Sequence, residues 1–88
     1  MAERNVTIIN RNGLHARPAA EIVKAAAKFQ SDITILRDDL EVNGKSIMGV
    51  MMLAAEQGST LLLRADGPDA EQALDAIERL IANKFGER

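Results

Sequence analysis

Apolar residues follow two rhythms along this 88-residue chain. In 4–10, RNVTIIN, Val6 and Ile8 alternate with Thr7, the period of two expected of a half-buried strand. Asn12-Gly13 then reads as a turn. From Ala16 to about Phe29 the period changes. Ala19, Ile22, Val23, Ala26 and Phe29 recur at helical spacing, Lys24 and Lys28 lie one turn apart on the polar face, and Glu21 is placed to pair with Lys24. Ser31-Asp32 interrupts this helix. Residues 33–37, ITILR, are rich in β-branched side chains and read as a second strand.

Asp38-Asp39 marks a turn, 40–43, LEVN, a short third strand, and Asn43-Gly44 another turn. The next segment, IMGVMML, is very apolar. With Ser46 as N-cap and Gly58 as C-terminal stop, it reads as a short helix over about 47–54. Residues 60–66, TLLLRAD, form a fourth strand. Gly67-Pro68 opens the last helix, with proline in its first turn, where the missing N–H costs nothing. Ala70, Ala73, Leu74, Ile77, Leu80 and Ile81 make its apolar stripe, and Glu71, Asp75 and Glu78 face away from it. The order is β-α-β-β-α-β-α. One solution buries all of these stripes: an α+β open-faced β-sandwich, a four-stranded antiparallel sheet covered on one face by three helices.

Composition narrows what such a domain can do. A chain of this length hides only about 60–65% of its unfolded surface, enough for one core, so residues 1–88 are expected to form a single domain with any chemistry at the surface. A net charge of −2, with neither Trp nor Tyr to stack on a base, argues against a nucleic-acid binder. The lack of cysteine excludes disulfides, thiol catalysis and Cys-ligated metal sites. MAERNVTIIN has no signal-peptide pattern, and no segment approaches the ~20 apolar residues of a membrane span. These features lead to the expectation of a cytoplasmic protein without membrane insertion.

One stretch concentrates the remaining chemistry. NGLHARP, residues 12–18, holds the only histidine of the chain, His15. Pro18 belongs to the first turn of the helix, so the cap should fall between His15 and Arg17, and none of these is Ser, Thr, Asp or Asn. An uncapped helix start presents free N–H groups, that of Ala16 among them, which attract anions and phosphate in particular. Arg17 adds a permanent cation with planar donors, and His15 a ring nitrogen that is nucleophilic when neutral. The bland alternative is a surface histidine beside a solvating arginine, and the chemistry alone favours the functional reading only slightly. A metal site would need carboxylate ligands that no spacing supplies, and no nucleophile-elbow pattern supports a Ser-His-Asp triad.

GLHARPA, NGKSIMGVMMLAA and the order of elements together resemble the HPr family, the histidine-containing phosphocarriers of the bacterial phosphoenolpyruvate-dependent phosphotransferase system. The resemblance covers nearly the whole chain. It implies a carrier without independent turnover, needing no cofactor beyond the covalent phosphate. The histidine matching His15 accepts phosphate on Nδ1 from phosphorylated enzyme I and passes it to a histidine of a IIA component, assisted by the arginine matching Arg17. The serine matching Ser46 is, in some lineages, phosphorylated by an ATP-dependent kinase, which adds an HPr kinase/phosphorylase to the expected partners. Residues matching Ile47, Met48 and Met51 form a docking patch with those matching Ala20 and Lys24 at its edge, while Val50 and Leu53 are expected in the core. Asn12 departs from the Ser or Thr of many members but can still hydrogen-bond at the site. Retention of both Lys45 and Ser46 is closer to the sugar-transport pattern than to the nitrogen-related branch. The protein is expected to be a monomer. The competing class is a small regulatory α+β module that binds through its sheet or its methionines, with His15 incidental.

Overall fold

The computed structural model describes residues 1–87. Its elements are β1 (Ala2–Thr7), α1 (Ala16–Ala26), β2 (Asp32–Arg37), β3 (Leu40–Asn43), α2 (Ile47–Met52), β4 (Thr60–Asp66) and α3 (Ala70–Ala82), followed by a 3-10 turn at Lys84–Gly86. The four strands form one antiparallel sheet in the order β1-β4-β2-β3. The register explains the alternation in the sequence. Val6 faces Leu61, Ile33 faces Ala65, and Ile35 lies between Leu63 and Val42; all seven side chains are buried on the same side of the sheet. The helices cover that side. Ala19, Ile22 and Ala26 of α1, Val50 of α2, and Ala73, Leu74, Ile77 and Ile81 of α3 complete the core. On the opposite face Arg64 donates from Nε to Glu3 at 2.8 Å, and the sheet is left open. This is the open-faced α+β architecture expected from the pattern.

Several boundaries differ from the sequence-based expectation, each for a tertiary reason. β1 runs over 2–7 rather than 4–10, because its partner β4 begins at Thr60 and ends at Asp66. Ile8 keeps two backbone bonds, to Ser59 and Gly58, but the chain then leaves the sheet. α1 stops at Ala26. Lys28 and Phe29 bond to carbonyls three residues back, so Phe29 continues the apolar stripe from a tighter turn rather than from the helix. α2 ends at Met52, not 54, and Gly58 is not its stop: the chain turns out of the helix at Ala54, whose φ is +47°. Pro68 lies before the first turn of α3, because the N-cap is Asp69.

Asp69 does not cap its own helix. Its carboxylate accepts from the backbone N–H groups of Gln30 and Ser31, both at 2.9 Å, and from the Ser31 hydroxyl at 2.6 Å. The Ser31 hydroxyl and then the Gln30 N–H hold its pKa below the ordinary 3.8. Gly67 makes this junction possible. Its φ is +153°, and a Cβ there would sit 2.6 Å from Ser31 Oγ. A second junction was hidden from the helical pattern. Glu71, Asp75 and Glu78 do face away from the stripe, yet they converge on Arg4 of β1, which donates to all three. Glu21 and Lys24, by contrast, form no ion pair among the described residues.

Candidate functional site

His15 is itself the N-cap residue of α1, with extended backbone angles of φ −75° and ψ −175°. Its carbonyl accepts the first helical bond, from Ala19 N at 2.9 Å. No side chain among the described residues caps the helix, and no acidic residue lies in its first turn. Pro18 has no N–H, so the free donors of the helix start are the amides of the exposed residues Ala16 and Arg17. The helix dipole adds partial positive charge at the same point. The expected under-capped start is therefore present, with the histidine at its tip.

The loop before His15 is held from two sides. Gly13 has a φ of +64°, and a Cβ on it would lie 2.5 Å from the Ala55 carbonyl oxygen. The close approach lets Leu14 N donate to that same oxygen at 2.8 Å. Asn10, fully buried, donates from Nδ2 to Gly13 O at 2.9 Å and to Glu87 Oε2 at 2.8 Å. The loop thus rests on the end of α2 on one side and on the C-terminal segment on the other. His15 remains exposed between three open hollows. One, of about 300 Å³, is shared with Leu14, Met51, Ala54 and Ala55. The second, about 140 Å³, is shared with Asn12, Arg17, Phe85 and Glu87. The third, about 400 Å³, is shared with Arg11, Asn12, Glu56 and Gln57.

Most of the residues singled out in the sequence meet here. Arg17 and His15 line one hollow, Asn12 lines two, and Met51 brings α2 to the histidine. Ile47, Met48 and Met51 are exposed, as is Met52, while Val50 and Leu53 are buried. Lys24 is not beside His15. It lies in a groove of about 360 Å³ between α1 and α3, with Glu21, Lys28, Arg79 and Leu80. Ala20, half-buried, sits one turn before Lys24 on α1. Ser46 caps α2, accepting from Gly49 N at 3.1 Å. Its neighbour Lys45 donates from Nζ to Phe29 O at 2.8 Å, tying the start of α2 to the turn after α1. Asn10, Arg11 and Glu87 were not singled out. No local pattern marks them, because Asn10 and Glu87 meet across 77 residues. No group of three or more metal-ligating side chains gathers among the described residues.

What this arrangement offers is a nucleophilic nitrogen at the positive end of a helix, open to solvent, with a guanidinium alongside and an apolar helix next to it. Oxyanions of a phosphoryl group bound to the ring could be met by helix N–H groups and by Arg17.

Comparison with known proteins gives consistent results. The family model described as "PTS HPr component phosphorylation site" matches residues 2–83. The chain is 53% identical over 87 residues to the phosphocarrier protein HPr of Cupriavidus necator, covering 99% of this chain and 98% of that one. It is 56% identical over 87 residues to the phosphocarrier protein HPr of Treponema pallidum, covering 99% of each. Among solved structures, HPr-C-His from Thermoanaerobacter tengcongensis superposes with a TM-score of 0.96 at 49% identity, over 100% of this chain and 99% of that one.

Proposed function

The chain belongs to the HPr family of phosphotransferase-system phosphocarriers, and on that premise we propose that His15 is the residue that carries the phosphate. The donor is phosphorylated enzyme I, charged from phosphoenolpyruvate, and the acceptor is a histidine of a sugar-specific IIA component. In each step a ring nitrogen attacks phosphorus along the line of the leaving nitrogen, and one N–P bond forms as another breaks. In the first step Nδ1 of neutral His15 is the nucleophile; in the second it is the leaving group. The protein's task is to make both directions accessible. Helix N–H groups and Arg17 stabilise the phosphoryl oxygens, while the open hollows leave the phosphorus within reach of a partner. Ile47, Met48 and Met51, with Ala20 and Lys24 at the edge, form the surface on which enzyme I and IIA dock in turn. Ser46 is a regulatory phosphosite for an HPr kinase/phosphorylase.

The observation that carries this reading is the helix start itself: an uncapped first turn whose cap position is the only histidine of the chain. The deciding experiment is incubation with phosphoenolpyruvate and enzyme I. The expected product carries one acid-labile, base-stable phosphate, located on His15 by peptide mass, and His15→Ala takes up none while melting at the wild-type temperature. Stoichiometric labelling of His15→Ala would overturn the assignment.

A further inference from the structure

All four methionines of the chain are exposed, and three of them stand on one short helix. Met48, Met51 and Met52 are 75%, 42% and 64% exposed, while Val50 and Leu53 of the same segment are buried and fasten it to the core. The chain has no cysteine, so no thiolate competes for an electrophilic oxidant. The thioethers of α2 are therefore the main cluster of reactive sulfur in the molecule. Met51 has a further distinction: it lines the same hollow as His15.

We propose that Met48, Met51 and Met52 form a reversible oxidation site, at which hydrogen peroxide or an organic hydroperoxide converts thioether to sulfoxide and so shuts off docking at the His15 face. The functional outcome rests on the carrier reading given above. In the chemical step a sulfur lone pair attacks one peroxide oxygen. An S–O bond forms and the O–O bond breaks. The departing hydroxide, or the alkoxide from an organic hydroperoxide, takes the proton of the transferred oxygen and leaves as water or as the alcohol. Sulfur is oxidised by two electrons and the peroxide is reduced by two.

The consequence follows from which way the side chains point. A sulfoxide is polar and a strong hydrogen-bond acceptor, so a partner covering α2 must strip water from it without an assured donor in return. The inward face of α2 is untouched, because Val50 and Leu53 carry no sulfur and Ser46 still caps the helix. Oxidation thereby separates docking from folding. It is undone by the two methionine sulfoxide reductases, one for each epimer.

The test uses hydrogen peroxide as the probe on the full chain. Peptide mass is expected to find one added oxygen on each of Met48, Met51 and Met52, at doses that shift the melting temperature by less than about 2 °C. The initial rate of His15 phosphorylation at limiting enzyme I should fall about tenfold, equivalent to ~1.4 kcal/mol of docking energy, and recover at high enzyme I. Treatment with both reductases should restore it. The triple variant Met48→Leu, Met51→Leu, Met52→Leu, compared with its own untreated rate, should lose nothing to peroxide. Absence of oxygen on α2 at those doses overturns the proposal, as does an unchanged rate in the oxidised chain. A triple variant as sensitive as the parent also overturns it, placing the damage elsewhere. Failure of the carrier reading looks different: the untreated chain would take no phosphate at any enzyme I concentration. That result removes the switch together with the reading, whereas normal labelling indifferent to oxidation removes the switch alone.

Discussion

Arg17 forms no ion pair among the described residues, although Arg4 and Arg64 both do. An arginine kept free at the tip of a helix, in a hollow shared with His15, is available to a phosphoryl group. Charge-assisted hydrogen bonds are worth roughly 1.5–3 kcal/mol. Arg17→Ala is therefore expected to slow single-turnover phosphoryl transfer about ten- to a hundredfold, measured by rapid quench, with no change in melting temperature. Single-turnover rates unchanged from wild type in both directions would make Arg17 a mere solvating residue. At this scale the sequence was most readable for His15, Arg17 and Ser46, because each announces itself by its place relative to a helix start. Glu87 is the opposite case. Its carboxylate reaches Asn10 and the Asn12 amide beside the site, yet nothing near it in sequence predicts that contact.

α2 divides its residues between two tasks, and its variants should divide likewise. Met48→Glu places a charge on the exposed face, which a docked partner would have to desolvate. Affinity for enzyme I, read by calorimetry, is expected to drop about tenfold or more, with the melting temperature within ~2 °C of wild type. A parallel loss of both would place Met48 in the core. Ser46→Asp keeps an oxygen acceptor for Gly49 N while adding charge beside the same face. The expected result is a raised apparent KM for enzyme I, partly relieved by salt, with a preserved fold. An unchanged KM across enzyme I concentrations would leave Ser46 as a cap and nothing more. The apolar stripes located α1 and α3, and alternation with β-branched residues most of the sheet, because periodicity reports which face is buried; α2 and β3 were legible from the cap at Ser46 and the turns at Asp38-Asp39 and Asn43-Gly44. It does not report where an element ends. α2 ends at Met52, and the chain leaves it through a left-handed turn at Ala54 that nothing local in the sequence announces, while β1 ends where β4 ceases to run beside it.

Two polar junctions tie α3 to its neighbours, and neither was legible in the chain. Arg4 binds three carboxylates of α3 to the edge strand β1, and Asp69 binds the start of α3 to the end of the α1 turn. Both join residues separated by 38 or more positions, beyond any local pattern. The second makes stability depend on acid. Asp69 has a folded pKa below its unfolded one, so its contribution is fully present above the unfolded value near 3.8 and is lost as pH falls through the lower folded value. Melting temperature followed from pH 5 downward should decline less steeply in Asp69→Asn than in wild type, the variant starting lower. Parallel curves would show that Asp69 contributes nothing to the acid transition. The strand order has a different consequence, for the order in which the molecule comes into being. β2 and β3 are joined by a two-residue turn and can pair as soon as both have left the ribosome, whereas β1 has no partner until β4, residues 60–66, has followed. The loop that presents His15 leans on Ala55. A nascent chain therefore exposes its histidine early but sets it in place only once Ala55 has emerged, at about the time β4 follows to pair with β1.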